Sequence, residues 1–121
     1  MMNRRQKGNL AEELAVEFLK RKGLQVEARN IRCPLGEMDL VVRDGKTLVF
    51  VEVKSRSTVR YGLPQELVSR SKQRRLTLLA TWYIKQHRLE NLPARFDVVA
   101  ISWDDSKPEI TWIPNAFEAY E

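Results

Sequence analysis

From Asn9 to Lys22 the apolar residues fall at Leu10, Ala11, Leu14, Ala15, Phe18 and Leu19, the three-to-four spacing of a single helical stripe. Gly23 ends that helix. Leu24–Ile31 reads as a strand of mixed pattern, and Pro34-Leu35-Gly36 makes a turn. Two strands follow, Glu37–Arg43 and Lys46–Ser55, joined by Asp44-Gly45, a dipeptide suited to two-residue hairpin turns that need positive φ. In the second of them Leu48-Val49-Phe50-Val51-Glu52-Val53 is almost continuously apolar, as expected of a central strand covered on both faces. Tyr61-Gly62-Leu63-Pro64 breaks the chain. Ser69 or Ser71 then caps a helix running to about His87, with Leu76, Leu79, Ala80, Tyr83 and Ile84 on its core face. Phe96–Trp103 and Glu109–Ile113 form a second hairpin around Asp104-Asp105-Ser106-Lys107. The order of elements implies a mixed sheet flanked by helices, an α/β or α+β fold.

A length of 121 residues suits one domain, expected to span residues 1–121, with one core and one site. No stretch approaches the roughly 20 apolar residues of a membrane span, so no membrane partner is expected. The basic start, Asn3-Arg4-Arg5-Gln6-Lys7, is not followed by the apolar segment of a signal peptide, which makes the cytoplasm the expected location. Cys33 is the only cysteine, which excludes an internal disulfide and argues against a cysteine-based zinc site. The net charge of +5 is unevenly spread: residues 1–88 hold 19 Lys/Arg against 9 Asp/Glu, residues 89–121 hold 2 against 7. A basic region of this kind favours a polyanionic partner, since each cation that neutralises a phosphate releases counterions.

Glu52 and Lys54 are the anomaly in the chain. Charges are seldom placed on a central strand without a partner or an ion to offset their desolvation. Two apart on a strand, they share a face. With Asp44-Gly45 as the loop, Arg43 pairs with Lys46, Asp39 falls opposite Phe50, and Asp39 is the diagonal neighbour of Glu52. A one-residue slip would put Asp39 on the other face. Two converging carboxylates suit Mg²⁺ or Mn²⁺, and an adjacent lysine can stabilise the charge that develops when a metal-activated water attacks a phosphodiester. The alternative is a cross-strand Glu–Lys ion pair facing solvent. Glu12 lies at the edge of the first helix's apolar stripe and can reach inward, or it can close a capping box with Asn9. Arg70, Lys72, Arg74 and Arg75 crowd the start of the second helix, where the macrodipole disfavours cations, an arrangement suited to phosphate contact; a solvated basic face is the other reading. Trp82, Trp103 and Trp112 are expected to pack, and His87 to meet a helix C-terminus.

Gly36-Glu37-Met38-Asp39-Leu40, Leu48 to Arg56, Tyr61-Gly62-Leu63-Pro64, Lys72 and Arg95-Phe96-Asp97-Val98-Val99 together resemble the bacterial YraN family, and the likeness runs from Gly8 to about Ile101. That family is similar to archaeal Holliday junction resolvases and to the restriction-endonuclease-like superfamily, whose signature is an acidic residue on one strand and E-x-K on the next. The resemblance implies that fold, catalytic roles for Asp39, Glu52 and Lys54, and a site role for Glu12 as the first-helix glutamate. Met38 stands where the superfamily often has proline, and Ala11 where the family often has glycine; neither change removes a ligand. Asp97 matches a family motif without an evident catalytic role.

Two functions follow as expectations. One is an Mg²⁺- or Mn²⁺-dependent endonuclease acting on DNA, with branched or single-stranded DNA among its candidate substrates. Asp39 and Glu52 would bind the metal, and Arg56, Arg70, Lys72, Arg74 and Arg75 the nucleic acid. The other is a DNA-binding accessory protein that keeps the fold but does not cleave by itself. The resolvase relatives act as dimers, which brings in a homodimer as a candidate assembly.

Overall fold

The computed structural model describes residues 3–56, 67–104 and 107–120. The elements run α1 (Arg4–Arg21), β1 (Gln25–Cys33), β2 (Gly36–Asp44), β3 (Thr47–Arg56), α2 (Arg70–Gln86), β4 (Ala94–Asp104) and β5 (Lys107–Phe117). They build one five-stranded sheet in the order β1-β2-β3-β4-β5. Only β3 and β4 run parallel, joined by the crossover that contains α2; the other neighbours are antiparallel. This mixed sheet with two helices is an α/β fold consistent with a restriction-endonuclease-like domain. The Tyr61-Gly62-Leu63-Pro64 segment and the Asp105-Ser106 part of the second hairpin turn lie outside the described residues, as does the side chain of Arg56.

The near-continuous apolar run of β3 has the predicted cause. Val49 and Val51 pack with Ala11, Ala15, Val16 and Leu19 of α1 on one face, and Leu48 and Phe50 pack with Leu76, Leu79, Ala80 and Tyr83 of α2 on the other. Burial on both faces leaves no position for a polar alternate until Glu52. Among the described residues no helix is long and apolar enough to cross a membrane.

Two local readings change and a third is decided between its alternatives, each for a physical reason. Helix α1 begins at Arg4, six residues before Leu10 opens the apolar stripe, because Asn3 caps it: the Asn3 side chain accepts from the Gln6 N–H, and the Gln6 side chain accepts from the Asn3 N–H, both at 2.9 Å. That is the capping box anticipated for Asn9 and Glu12, built two turns earlier. Glu12 therefore sits inside the helix with no capping duty. Second, the β2–β3 turn is Gly45-Lys46, with Asp44 paired to Thr47. Gly45 takes φ +60° and Lys46 stays out of the positive-φ region, the glycine-first pattern of a II′ turn. The predicted register is thus displaced by two residues. An even shift preserves the sheet face of every paired side chain but puts Asp39 in line with Glu52, one step beyond the last pair, Leu40↔Val51, in place of the predicted diagonal position. Third, of the two candidate caps of α2, Ser69 takes the role, accepting from the Lys72 N–H at 3.2 Å.

Candidate functional site

The site lies where β2 and β3 separate. Their pairing stops at Leu40↔Val51, while β2 continues beside β1 to Gly36 and β3 beside β4 to Arg56. At this fork β2 also loses its simple alternation. Met38 joins the α2-side core and Leu40 the α1-side core, and across the strand β1 bends at Asn30, which has φ +51°. Asp39, between them, turns into the gap. Its carboxyl accepts the Val53 N–H at 2.8 Å, replacing the backbone acceptor that β2 no longer supplies. Alternation along β3 sends Glu52 and Lys54 toward α2.

Glu52 is almost wholly buried, at 3% exposure. Two ammonium groups reach it: Lys54 from the same strand at 3.7 Å, and Lys72 from the first turn of α2, in direct contact. Lys72, expected from the sequence among the nucleic-acid contacts, is also carried by the fold into the acidic cluster. No spacing rule could have signalled that, because Lys72 arrives from another element through the β3–β4 crossover.

The charges influence one another strongly. The Asp39 carboxyl is pushed up from 3.8 to about 8, first by burial, then by its hydrogen bond with Glu52 and by the charge of Glu52; the Val53 N–H opposes the shift and the charge of Glu12 adds to it. Burial lowers the pKa of Lys54, with Glu52 opposing and the nearby Lys72 charge lowering it further. For Lys72, burial works toward the neutral form but is outweighed by the hydrogen bond to Glu52 and by its charge, so the pKa rises. Glu12, half-buried on α1, faces the cluster from the opposite side of the sheet and is felt at Asp39 through its charge.

Stability against pH should report this strain. Because the folded state holds the Asp39 proton up to about pH 8 and the unfolded chain releases it near 3.8, the associated stability is complete below about pH 4 and is lost as pH rises through 8. Asp39→Asn removes the titration while keeping an acceptor for Val53. It should therefore gain on the wild type by an order of a few kcal/mol between about pH 5 and about pH 9 without metal. Urea denaturation at both pH values measures the gain, and a constant difference would contradict the assigned shift.

Beside the cluster a cleft of about 220 Å³ opens between the start of β2 and α2, lined by Gly36, Glu37, Lys72, Arg75, Leu76 and Leu79. Gly36 takes φ +136°, a backbone conformation that favours glycine, and a β-carbon there would only touch Arg75 Cδ at 3.4 Å and Leu79 Cδ1 at 3.5 Å. The four basic residues at the start of α2 thus separate. Lys72 and Arg75 line this cleft, Arg70 is exposed, and Arg74 lies over the Tyr120 ring at 5.5 Å.

Asp97 belongs elsewhere. It is completely buried on β4 beside Val51 of β3 and accepts from Arg95 Nε at 3.0 Å, Arg95 Nη2 at 3.2 Å, Trp112 Nε1 at 3.0 Å and the Asn115 N–H at 2.8 Å. Arg95 also reaches Asp44 at 3.0 Å. This network joins β4 to the β2–β3 turn and to the irregular part of β5, where the register shifts between Phe96 and Val98 and Asn115 has φ +53°. The role of Asp97 is therefore structural. The tryptophans pack as expected: Trp112 meets Phe18 edge-on at 6.2 Å, and Trp103 donates to Ser55.

Residues 11–101, which include every member of this cluster, match the family described as Uncharacterised protein family UPF0102. The chain belongs to UPF0102. This is the family to which the YraN resemblance pointed. UPF0102 relatives match over almost their full length: one from Geobacter metallireducens is 49% identical over 92% of this chain and 91% of its own. Another from Lachnoclostridium phytofermentans is 47% identical over 98% of both chains. A third, from Caldicellulosiruptor saccharolyticus, is 42% identical over 96% of this chain and all of its own. The cluster described above is thus a candidate site for a UPF0102 protein.

The oxygen donors suited to a metal are the carboxyls of Asp39 and Glu52. Among the described residues no group of three or more Asp, Glu, His or Cys side chains is assembled to hold an ion. A pair of carboxylates alone matches the habit of Mg²⁺, which retains several of its waters.

Proposed function

We propose that this UPF0102 protein is a metal-dependent endonuclease that hydrolyses phosphodiester bonds in DNA. The observation that carries the reading is the convergence of Asp39 and Glu52, with Lys54 beside them, in a strand fork bordered by a basic cleft. The donor set fits a hard divalent cation. Two carboxyls are held so close and so dry that Asp39 retains a proton well above its ordinary range, and a divalent ion can replace that proton. Such an ion, when bound, polarises a phosphoryl oxygen and acidifies a water. The protein's own groups do the rest. Asp39 and Glu52 hold and orient; Lys54, its pKa lowered by burial, is placed to steady the attacking water and the charge that develops on the phosphate. Arg75, along the cleft, positions the backbone.

One observation favours the accessory reading: Lys72 already neutralises Glu52, so the site is charge-compensated without any ion. A cleavage assay separates the two. Purified protein is incubated with duplex, single-stranded and four-way-junction DNA in Mg²⁺ or Mn²⁺, beside Asp39→Asn and Lys54→Ala. Cleavage by the wild type that falls about 100-fold or more in both variants supports the enzyme. Binding without cleavage, equal in all three proteins, supports the accessory protein and ends the enzyme reading. A four-way junction cut in preference to duplex would identify branched DNA as the substrate.

A further inference from the structure

A buried carboxylate needs compensation, and around Glu52 the compensation is redundant. Lys54 stands 3.7 Å away on a stiff strand, whereas the Lys72 ammonium is in direct contact and comes from the tip of a helix. The Lys72 side chain remains 37% exposed. Its backbone N–H, not its side chain, serves the Ser69 cap, so the ammonium can move without loosening α2. The same side chain lines the cleft with Arg75, three residues on and therefore on the same face of the helix. Lys72 thus stands between two sites that want opposite partners: a carboxyl pair suited to a cation, and a cleft suited to a phosphate, where Lys72 and Arg75 are the cations and the one acid, Glu37, is already paired with Arg32 at 2.7 Å.

We propose that Lys72 is an exchangeable counterion, which neutralises Glu52 until a divalent cation takes that carboxylate and then turns into the cleft beside Arg75 to hold a phosphate of the nucleic acid. The inference rests on the metal-dependent reading above. Its consequence is linkage: the metal must displace an ammonium to bind, and the displaced ammonium adds a phosphate contact. Metal and DNA therefore tighten each other's binding by the same factor.

Calorimetric titration of Mn²⁺ into the full chain tests the exchange, with Lys72→Met, Lys72→Arg and Arg75→Met beside the wild type. Lys72→Met, freed of the competitor, should bind Mn²⁺ about tenfold more tightly than the wild type. Lys72→Arg keeps the charge and should show no gain, and Arg75→Met, which does not touch Glu52, should change affinity by less than about twofold. Equal or weaker binding by Lys72→Met would show a fixed structural clamp and overturn the exchange while leaving the metal site standing. Failure of all four proteins to bind Mn²⁺ would sink the exchange and the metal-dependent reading together. A second measurement needs only the wild type, should Lys72→Met not fold. Binding of a short phosphorothioate duplex, which resists hydrolysis, should tighten several-fold in Mn²⁺, and no tightening would also overturn the proposal.

Discussion

Asp97→Ala is expected to lower the unfolding free energy by about 3–5 kcal/mol, more than any substitution in the candidate site. The carboxyl is fully buried and accepts four hydrogen bonds from three residues. Alanine would leave the Asn115 N–H and the Trp112 indole N–H without acceptors. It would also leave the half-buried Arg95 guanidinium, whose pKa is raised first by its bonds to Asp97, with only Asp44 as partner. Deleting one member of a buried charged network costs more than the pair contributes, because the surviving charge stays desolvated. Urea denaturation measures the loss. A double variant, Arg95→Met with Asp97→Leu, should recover much of it, since both charges leave together. A loss below about 1 kcal/mol for Asp97→Ala would mean the network is not a stability determinant. The motif around Asp97 would then need a functional explanation after all.

Glu52→Gln is expected to do the reverse: little harm to the fold, and a loss of about 1,000-fold or more in metal-dependent DNA cleavage, equivalent to about 4 kcal/mol of transition-state stabilisation. The amide keeps the shape and an acceptor for Lys72, but it removes the charge that balances two ammonium groups and one of the two donors proposed for the ion. Lys54 and Lys72 would then face each other across a neutral group. Their repulsion should drive Lys72 outward, so DNA binding in the absence of metal should persist or strengthen while cleavage disappears. Initial rates under saturating Mg²⁺, read beside DNA binding by anisotropy, separate the two effects. Cleavage within about tenfold of the wild type would exclude Glu52 from the chemistry.

These two residues also mark the reach of sequence reading. Both are acids on apolar strands, and pattern alone marks Glu52 because it interrupts a run of residues buried on both faces. Asp97 carries no such signal of its role. Its partners Trp112 and Asn115 lie on another strand, and through Arg95 it is tied to Asp44, 51 residues away from that arginine. Glu12 lies between the two cases. Its helix was plain, but whether it capped the helix or faced the sheet depended on where the helix began. That was decided by Asn3 and Gln6, in a polar segment without hydrophobic periodicity.

Local order in the chain was therefore enough to determine which segments form helices and strands and the central position of β3, because each depends on burial repeating every two or 3.6 residues, while the parity that keeps Asp39 and Glu52 from opposite faces came from a two-residue turn. The tertiary structure alone decided that β2 and β3 part at Leu40 and Val51, that Asp39 turns into the gap to take the Val53 N–H, and that Lys72 reaches Glu52 from across the crossover. Those features arise where elements distant in sequence meet. What selects them is the need of buried charges and unpaired backbone groups for partners, and that need sets no spacing along the chain.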